Sequence, residues 1–109
     1  MNKELKARWL EKLRSGKYKQ TENSLRLIEE DEAFSYCCLG VLGECLIDQD
    51  PINHYWNSSN YFVSKELGVI EGGYLGKRVI PRNIQVLLAD MNDKGKSFLE
   101  IADYIEENL

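Results

Sequence analysis

Tyr36-Cys37-Cys38-Leu39-Gly40-Val41-Leu42-Gly43-Glu44-Cys45 holds all three cysteines of the chain, two glycines and only one charge. A stretch of this composition is at home only inside a core, where its glycines let another backbone approach closely. The run is short enough to be a buried strand or a helix, and the recurrence of Cys38, Val41, Leu42 and Cys45 at i, i+3, i+4 and i+7 favours a helix from about Cys37 to Ile47. Two internal glycines cost that helix roughly 1 kcal/mol each relative to alanine. The cost makes sense if a neighbouring element packs tightly against them.

Amphipathic elements flank this centre. Leu5, Trp9, Leu10 and Leu13 form an apolar stripe on a first helix that Gly16 ends, with Arg14 near its C-terminus. Residues 17–24 read as a polar loop or edge. Leu25-Arg26-Leu27 and Ala33-Phe34-Ser35-Tyr36 alternate around the acidic turn Glu29-Glu30-Asp31-Glu32, predicting a β-hairpin that runs directly into the cysteine segment. Asp48-Gln49-Asp50-Pro51 stops the central helix. Residues 52–76 are rich in aromatics, with Tyr61-Phe62-Val63 as a strand and with turns at Gly72-Gly73 and Gly76.

The C-terminal third reads as a helical hairpin. Pro81 suits a first turn, and Ile84, Leu87, Leu88 and Met91 form its stripe. Asn92-Asp93-Lys94-Gly95 breaks the helix. Ser97 and Glu100 then make a capping box for a last helix with Phe98, Ile101, Ala102 and Ile105 inward. The expected fold is α+β: a small single domain over residues 1–109, mostly helical, with a short antiparallel β element and a C-terminal helical hairpin.

With 109 residues, 43% of them hydrophobic, the chain is sized for one core. No apolar run approaches about 18 residues, so a membrane partner is not expected. The start, Met1-Asn2-Lys3-Glu4-Leu5-Lys6, shows no signal peptide, and three cysteines do not suit a disulfide framework. A cytoplasmic location follows as the expectation.

The net charge of -4 is unevenly spread. Residues 1–20 carry seven Lys or Arg against two Glu, a balance of +5, so the rest sums to -9. Lys77, Arg78 and Arg82 form a second basic group. This pattern permits one electropositive face on an acidic body, and it equally describes a solvated, Lys-rich first helix.

Most site chemistries fail on spacing. His54 is the single histidine, Cys37 and Cys38 are adjacent, and no CxxC pair exists, so no metal site is expected. No cofactor is implied. A catalytic thiol needs a base and an electropositive, partly exposed setting, whereas cysteines in an apolar run act as small core hydrophobes. Neither GxSxG nor GxxxxGK[ST] occurs. Nucleic acid is a poor partner for a chain of pI about 5.0 whose last helix carries Glu100, Asp103, Glu106 and Glu107.

What capping and turn formation explain least well is Arg14, Tyr18 and Gln20. With Lys17 beside them, they could meet a small anionic ligand through guanidinium, ring and amide contacts. Trp56, Tyr61 and Phe62 form a second candidate, a surface for a protein partner.

Trp9, Leu13-Arg14-Ser15-Gly16, Tyr18 and Gln20, then Tyr36-Cys37-Cys38-Leu39-Gly40-Val41-Leu42, then Leu88-Ala89, Asn92-Asp93, Gly95, Ser97-Phe98 and Glu100-Ile101-Ala102 occur in an order that resembles small accessory proteins of bacteriophages. Gly43-Glu44-Cys45 departs from that pattern, which often has a Cys-Asp pair directly after the leucine. The resemblance implies a phage accessory protein that is not a virion part, and it brings no known activity with it. Small phage proteins of this character often counter host immunity, and that analogy, with the local basic excess and the polar trio, gives the expectation of a non-enzymatic counter-defence protein in the cytoplasm of the infected cell. Its first form is a homo-oligomer that sequesters a phosphate-bearing, nucleotide-type immune signal. The alternative is an inhibitor that binds a host anti-phage defence protein directly. A thiol-dependent hydrolase is a third class, and it would require a reactive Cys37 or Cys38.

Overall fold

The cysteine segment becomes the central helix, α2 (Cys38–Gln49), with Cys38 through Gly43, Cys45 and Leu46 all buried. It starts one residue later and ends two later than the sequence spacing predicts. The computed structural model describes residues 1–58, 61–64, 69–72 and 80–109. The turns expected at Gly73 and Gly76, and the basic residues Lys77 and Arg78, lie outside the described residues.

α1 (Lys3–Arg14) buries Leu5, Trp9 and Leu13 and packs against α2, to which Trp9 bonds directly. Asn2 caps it by accepting the Leu5 N–H at 2.9 Å, and Gly16 beyond its end has φ +75°, the left-handed value that favours glycine. The chain then forms β1 (Lys19–Gln20), β2 (Arg26–Ile28) and β3 (Phe34–Tyr36), ordered β1-β3-β2. β2 and β3 are the expected antiparallel hairpin, with Leu27 opposite Ser35. The β1 strand, parallel to β3, emerges from the segment read as loop or edge.

After α2, β4 (His54–Trp56), β5 (Tyr61–Ser64) and β6 (Val69–Gly72) form an antiparallel meander with His54 opposite Ser64. α3 (Arg82–Asp93) and α4 (Phe98–Asn108) complete the chain as the expected hairpin. The Ser97–Glu100 capping box is present, and Phe98, Ile101, Ala102 and Ile105 face inward. No helix among the described residues is long and apolar enough to cross a membrane.

Two details of α3 differ from the sequence reading. Pro81 sits at the N-cap, one residue before the first turn. The inward face is Gln85, Leu88 and Asn92, while Leu87 remains 39% exposed. Apolar periodicity missed this rotation because two of the three inward residues are polar. Gln85 donates from Nε2 to the Ile80 carbonyl at 2.9 Å, and Asn92 is a hydrogen-bond hub.

That hub fixes the start of α2. Cys37, the N-cap residue, gives no side-chain cap. Instead Asn92 Oδ1 accepts the Cys38 N–H at 3.2 Å, and Trp9 Nε1 donates to the Cys38 carbonyl at 2.9 Å. Asn92 also accepts from Gln20 Nε2 at 2.8 Å and donates to the Thr21 carbonyl at 2.7 Å. One side chain thereby ties α3 to β1 and to the first turn of α2, supplying a partner that a buried helix end needs.

Candidate ligand-binding site

Arg8, Glu11 and Lys12 fall at i, i+3 and i+4 on α1 and so share one face. With Asp48 from the last turns of α2 they line a hollow of about 350 Å³. That volume is of the order of small-molecule sites. Arg8 pairs with Glu4 along the helix at 3.1 Å. Lys12 is the junction residue: its ammonium lies 2.9 Å from Asp48 Oδ2, donates to Tyr18 Oη at 3.0 Å, and stands 5.4 Å from the centre of the Tyr18 ring. The bond to Tyr18, then that to Asp48, holds the Lys12 ammonium well above its ordinary value against the opposing effect of burial. Lys12 therefore stays charged across the neutral range.

A continuous row of rings starts at Tyr18. Its ring meets Tyr36 at 5.3 Å in an edge-on arrangement, and Tyr36 lies 6.5 Å from Phe34. Arg26 inserts its guanidinium between Phe34 and Trp56, at 3.9 and 4.3 Å from the two ring centres. Trp56 meets Phe62 edge-on at 5.3 Å. β2, β3 and β4 thus interlock through cation–π contacts. Glu44 holds the row from beneath, its Oε1 accepting from Tyr36 Oη at 3.0 Å and from Trp56 Nε1 at 3.1 Å. Burial first, and then Glu44, pushes the Tyr36 phenol up to about 12.

The residues singled out from sequence fall into distinct roles. Tyr18 and Trp56, far apart in the chain, belong to the same row. Arg14 faces α4, where its Nη2 donates to Asp103 at 2.9 Å and Glu106 at 2.8 Å. Gln20 spends its amide N–H groups on Asn92 and on the Lys96 carbonyl, both at 2.8 Å. Lys17 is exposed. Phe62 is buried against Gly43, whereas Tyr61, one residue away on the strand, points outward and is 45% exposed. The hollow itself escaped the sequence reading. Arg8, Glu11 and Lys12 do sit at helical spacing in the basic segment, but only the fold brings Asp48 to them.

The three thiols are free and buried. Burial pushes Cys37 up to about 11, even though N–H groups of the α2 start favour its thiolate, and it pushes Cys45 up to about 12 and Cys38 well above its ordinary value. A thiol nucleophile is not supplied by such settings. The pH consequence has a definite sign. Unfolded thiols lose their protons near 9.0, while folded Cys37 and Cys45 keep theirs to about 11 and about 12. Between those values the folded state binds more protons, so this contribution is complete below pH 9.0 and is lost as pH rises through the folded values. Tyr36 adds a decline of the same sign above its ordinary 10.0. Urea midpoints are therefore expected to fall progressively above pH 9.0, with native labelling of all three cysteines no faster than unfolding. A flat midpoint, or rapid labelling without denaturant, would contradict the burial of these thiols.

A family model described as a domain of unknown function (DUF8296) matches residues 1–79. No curated protein and no solved structure matches the chain. The matched segment contains every residue of the hollow and of the aromatic row, while α3 and α4 lie beyond it.

Proposed function

This chain belongs to the DUF8296 family, whose function is unknown, and we propose that it is a phage-encoded, non-enzymatic counter-defence protein that binds and sequesters a small phosphate-bearing, nucleotide-type immune signal. The observation that carries the reading is Lys12, a buttressed cation that lines the hollow and touches an aromatic ring at once. A phosphate on Lys12 and Arg8 would gain charge-assisted hydrogen bonds. The hollow is open, so a second copy of the chain closing over it would give the enclosure that tight sequestration needs, and a homo-oligomer in the infected cell's cytoplasm is part of the proposal. The buried thiols favour binding over thiol chemistry.

A nucleotide panel tests it. A bound signal is expected to raise the melting temperature, by mass action on the folded state. Lys12→Ala is expected to abolish that rise and the protection of phage together, whereas Arg14→Ala keeps both while loosening the α1–α4 contact. A panel that never shifts the melting temperature would overturn the reading.

One observation favours the alternative, an inhibitor of a host defence protein. Ile28 and Phe34 are cross-strand partners, 51% and 38% exposed, beside the stacked Arg26 and Trp56. Aromatic and arginine side chains are the usual anchors of protein interfaces. Phe34→Ala would then abolish protection while leaving any nucleotide-induced melting shift intact.

A further inference from the structure

We infer that the β2–β3 hairpin is a docking surface for a cationic protein segment, one that sets an apolar side chain against Ile28 and Phe34 and its Lys or Arg side chains against the carboxylates of the hairpin turn. This is independent of the α1–α2 hollow. It rests on the second reading above, a direct contact with a host protein, and adds the chemistry of that partner.

The apolar part comes first. Among the described strands, the order β1-β3-β2 puts β2 at one edge of its sheet. Side chains alternate along a strand, so Leu27 and Ile28 stand on opposite faces of that edge. Both are exposed, as is Phe34, the cross-strand partner of Ile28. Single exposed apolar residues are ordinary, but neighbours on paired strands form a patch. Phe34 is also held in place. The Arg26 guanidinium lies over its ring at 3.9 Å and is backed in turn by Trp56 at 4.3 Å. A ring fixed in this way loses little freedom when a partner covers its exposed part.

Charge decides what covers the patch. Glu29-Glu30-Asp31-Glu32 joins the two strands, and Glu30, Asp31 and Glu32 are exposed. Among the described residues none of these three enters an ion pair, and Glu29 meets only Lys19, at 3.6 Å. Three bonds fix the turn: the Glu29 N–H donates to the Ala33 carbonyl at 2.8 Å, the Glu32 N–H to the Glu29 carbonyl at 3.0 Å, and the Ala33 N–H to Asp31 Oδ1 at 3.1 Å. The carboxylates are thereby carried on a fixed backbone directly beside Ile28 and Phe34. A nucleic acid or an anionic membrane approaching the patch would be repelled by them. A neutral segment gains nothing from them. A segment with Lys or Arg beside its apolar residue is complementary in both respects, and complementary charge also speeds the encounter.

Amide-resolved NMR titration tests the inference with three short peptides: Lys alternating with Val and Phe, Glu alternating with Val and Phe, and Lys alternating with Ser. The Lys–Val/Phe peptide is expected to shift the amides of residues 27–34 and to bind roughly tenfold or more tightly than the Lys–Ser peptide, with no binding of the Glu peptide. Ile28→Thr keeps the β-branch and should erase the advantage over Lys–Ser. Glu30→Lys combined with Glu32→Lys should abolish binding of both Lys peptides. Both variants change exposed side chains, and unchanged melting temperatures show that they fold. Binding of the Glu peptide as tightly as the Lys–Val/Phe peptide, Lys-peptide shifts outside residues 27–34, or no binding at all would overturn the inference. Shifts at residues 27–34 that grow with protein concentration alone would assign the surface to a second copy and overturn it as well. If Phe34→Ala nevertheless abolishes phage protection, the second reading stands without a cationic partner; if protection survives too, both fall.

Discussion

Gly40→Ala is expected to cost a large share of the protein's stability, whereas Gly43→Ala, three residues along the same helix, is expected to change it little. A Cβ on Gly40 would lie far inside van der Waals contact distance of the Leu25 carbonyl oxygen. That oxygen cannot rotate away, because it belongs to the backbone leading into β2 and accepts the Cys37 N–H at 3.1 Å. Relief requires Leu25 to withdraw from the core and that hydrogen bond to break. Overpacking typically costs about 1–3 kcal/mol and a stranded buried donor a further 1–3 or so, together around 4 kcal/mol. A domain of this size has about 5–15 kcal/mol in all. At Gly43 the new methyl would meet the Phe62 ring at 3.1 Å, a side chain able to shift by a few tenths of an ångström. The gain of roughly 1 kcal/mol in helix propensity offsets that adjustment. Thermal melts of the two variants by circular dichroism decide the matter, and equal losses would show that the Leu25 contact is not what demands glycine.

The second large effect is expected at Asn92. Asn92→Leu keeps the volume and raises hydrophobicity, yet it should cost about 3–5 kcal/mol. It leaves the Cys38 N–H without its partner, strands the Thr21 carbonyl, and takes from Gln20 one of its two acceptors. Each buried polar group left unmet costs about 1–3 kcal/mol. Urea unfolding measures the loss. Labelling of Cys37 and Cys38 reports its location, because a loosened first turn of α2 exposes those two thiols before Cys45. A variant as stable as the parent would show that the first turn of α2 does not depend on Asn92.

Wherever apolar periodicity alone decides, the sequence was a sufficient guide. The stripes of α1 and α4, the buried α2 and the hairpin around Glu29–Glu32 all follow from spacing and turn chemistry. It misled where polar residues were buried. Asn92 resembles a helix-breaking turn residue and is a core residue, and Gln85 was hidden by the more apolar Leu87 beside it. The candidate site was legible only in fragments. Tyr18 and Trp56 were visible as unexplained aromatics, but Arg26, the cation between two rings, looked like the polar member of an alternating strand. Asp48 looked like a helix stop. Contacts spanning 32 residues, as from Arg26 to Ser58, or 36, as from Lys12 to Asp48, are set by tertiary packing and leave no local pattern in the chain.

The grip on the first turn of α2 has a consequence for how the chain comes into being. Trp9 reaches Cys38 across 29 residues and Asn92 reaches it across 54. During synthesis the central helix is made well before the asparagine that completes its first turn. Until then its cysteines and leucines have no finished shelter, and closing so long a loop is slow. The family match ends at residue 79, but the point at which a nascent chain can commit to its fold lies later, once α3 has emerged. A fragment cut at the end of the matched segment would remain, in this respect, a chain caught midway through synthesis.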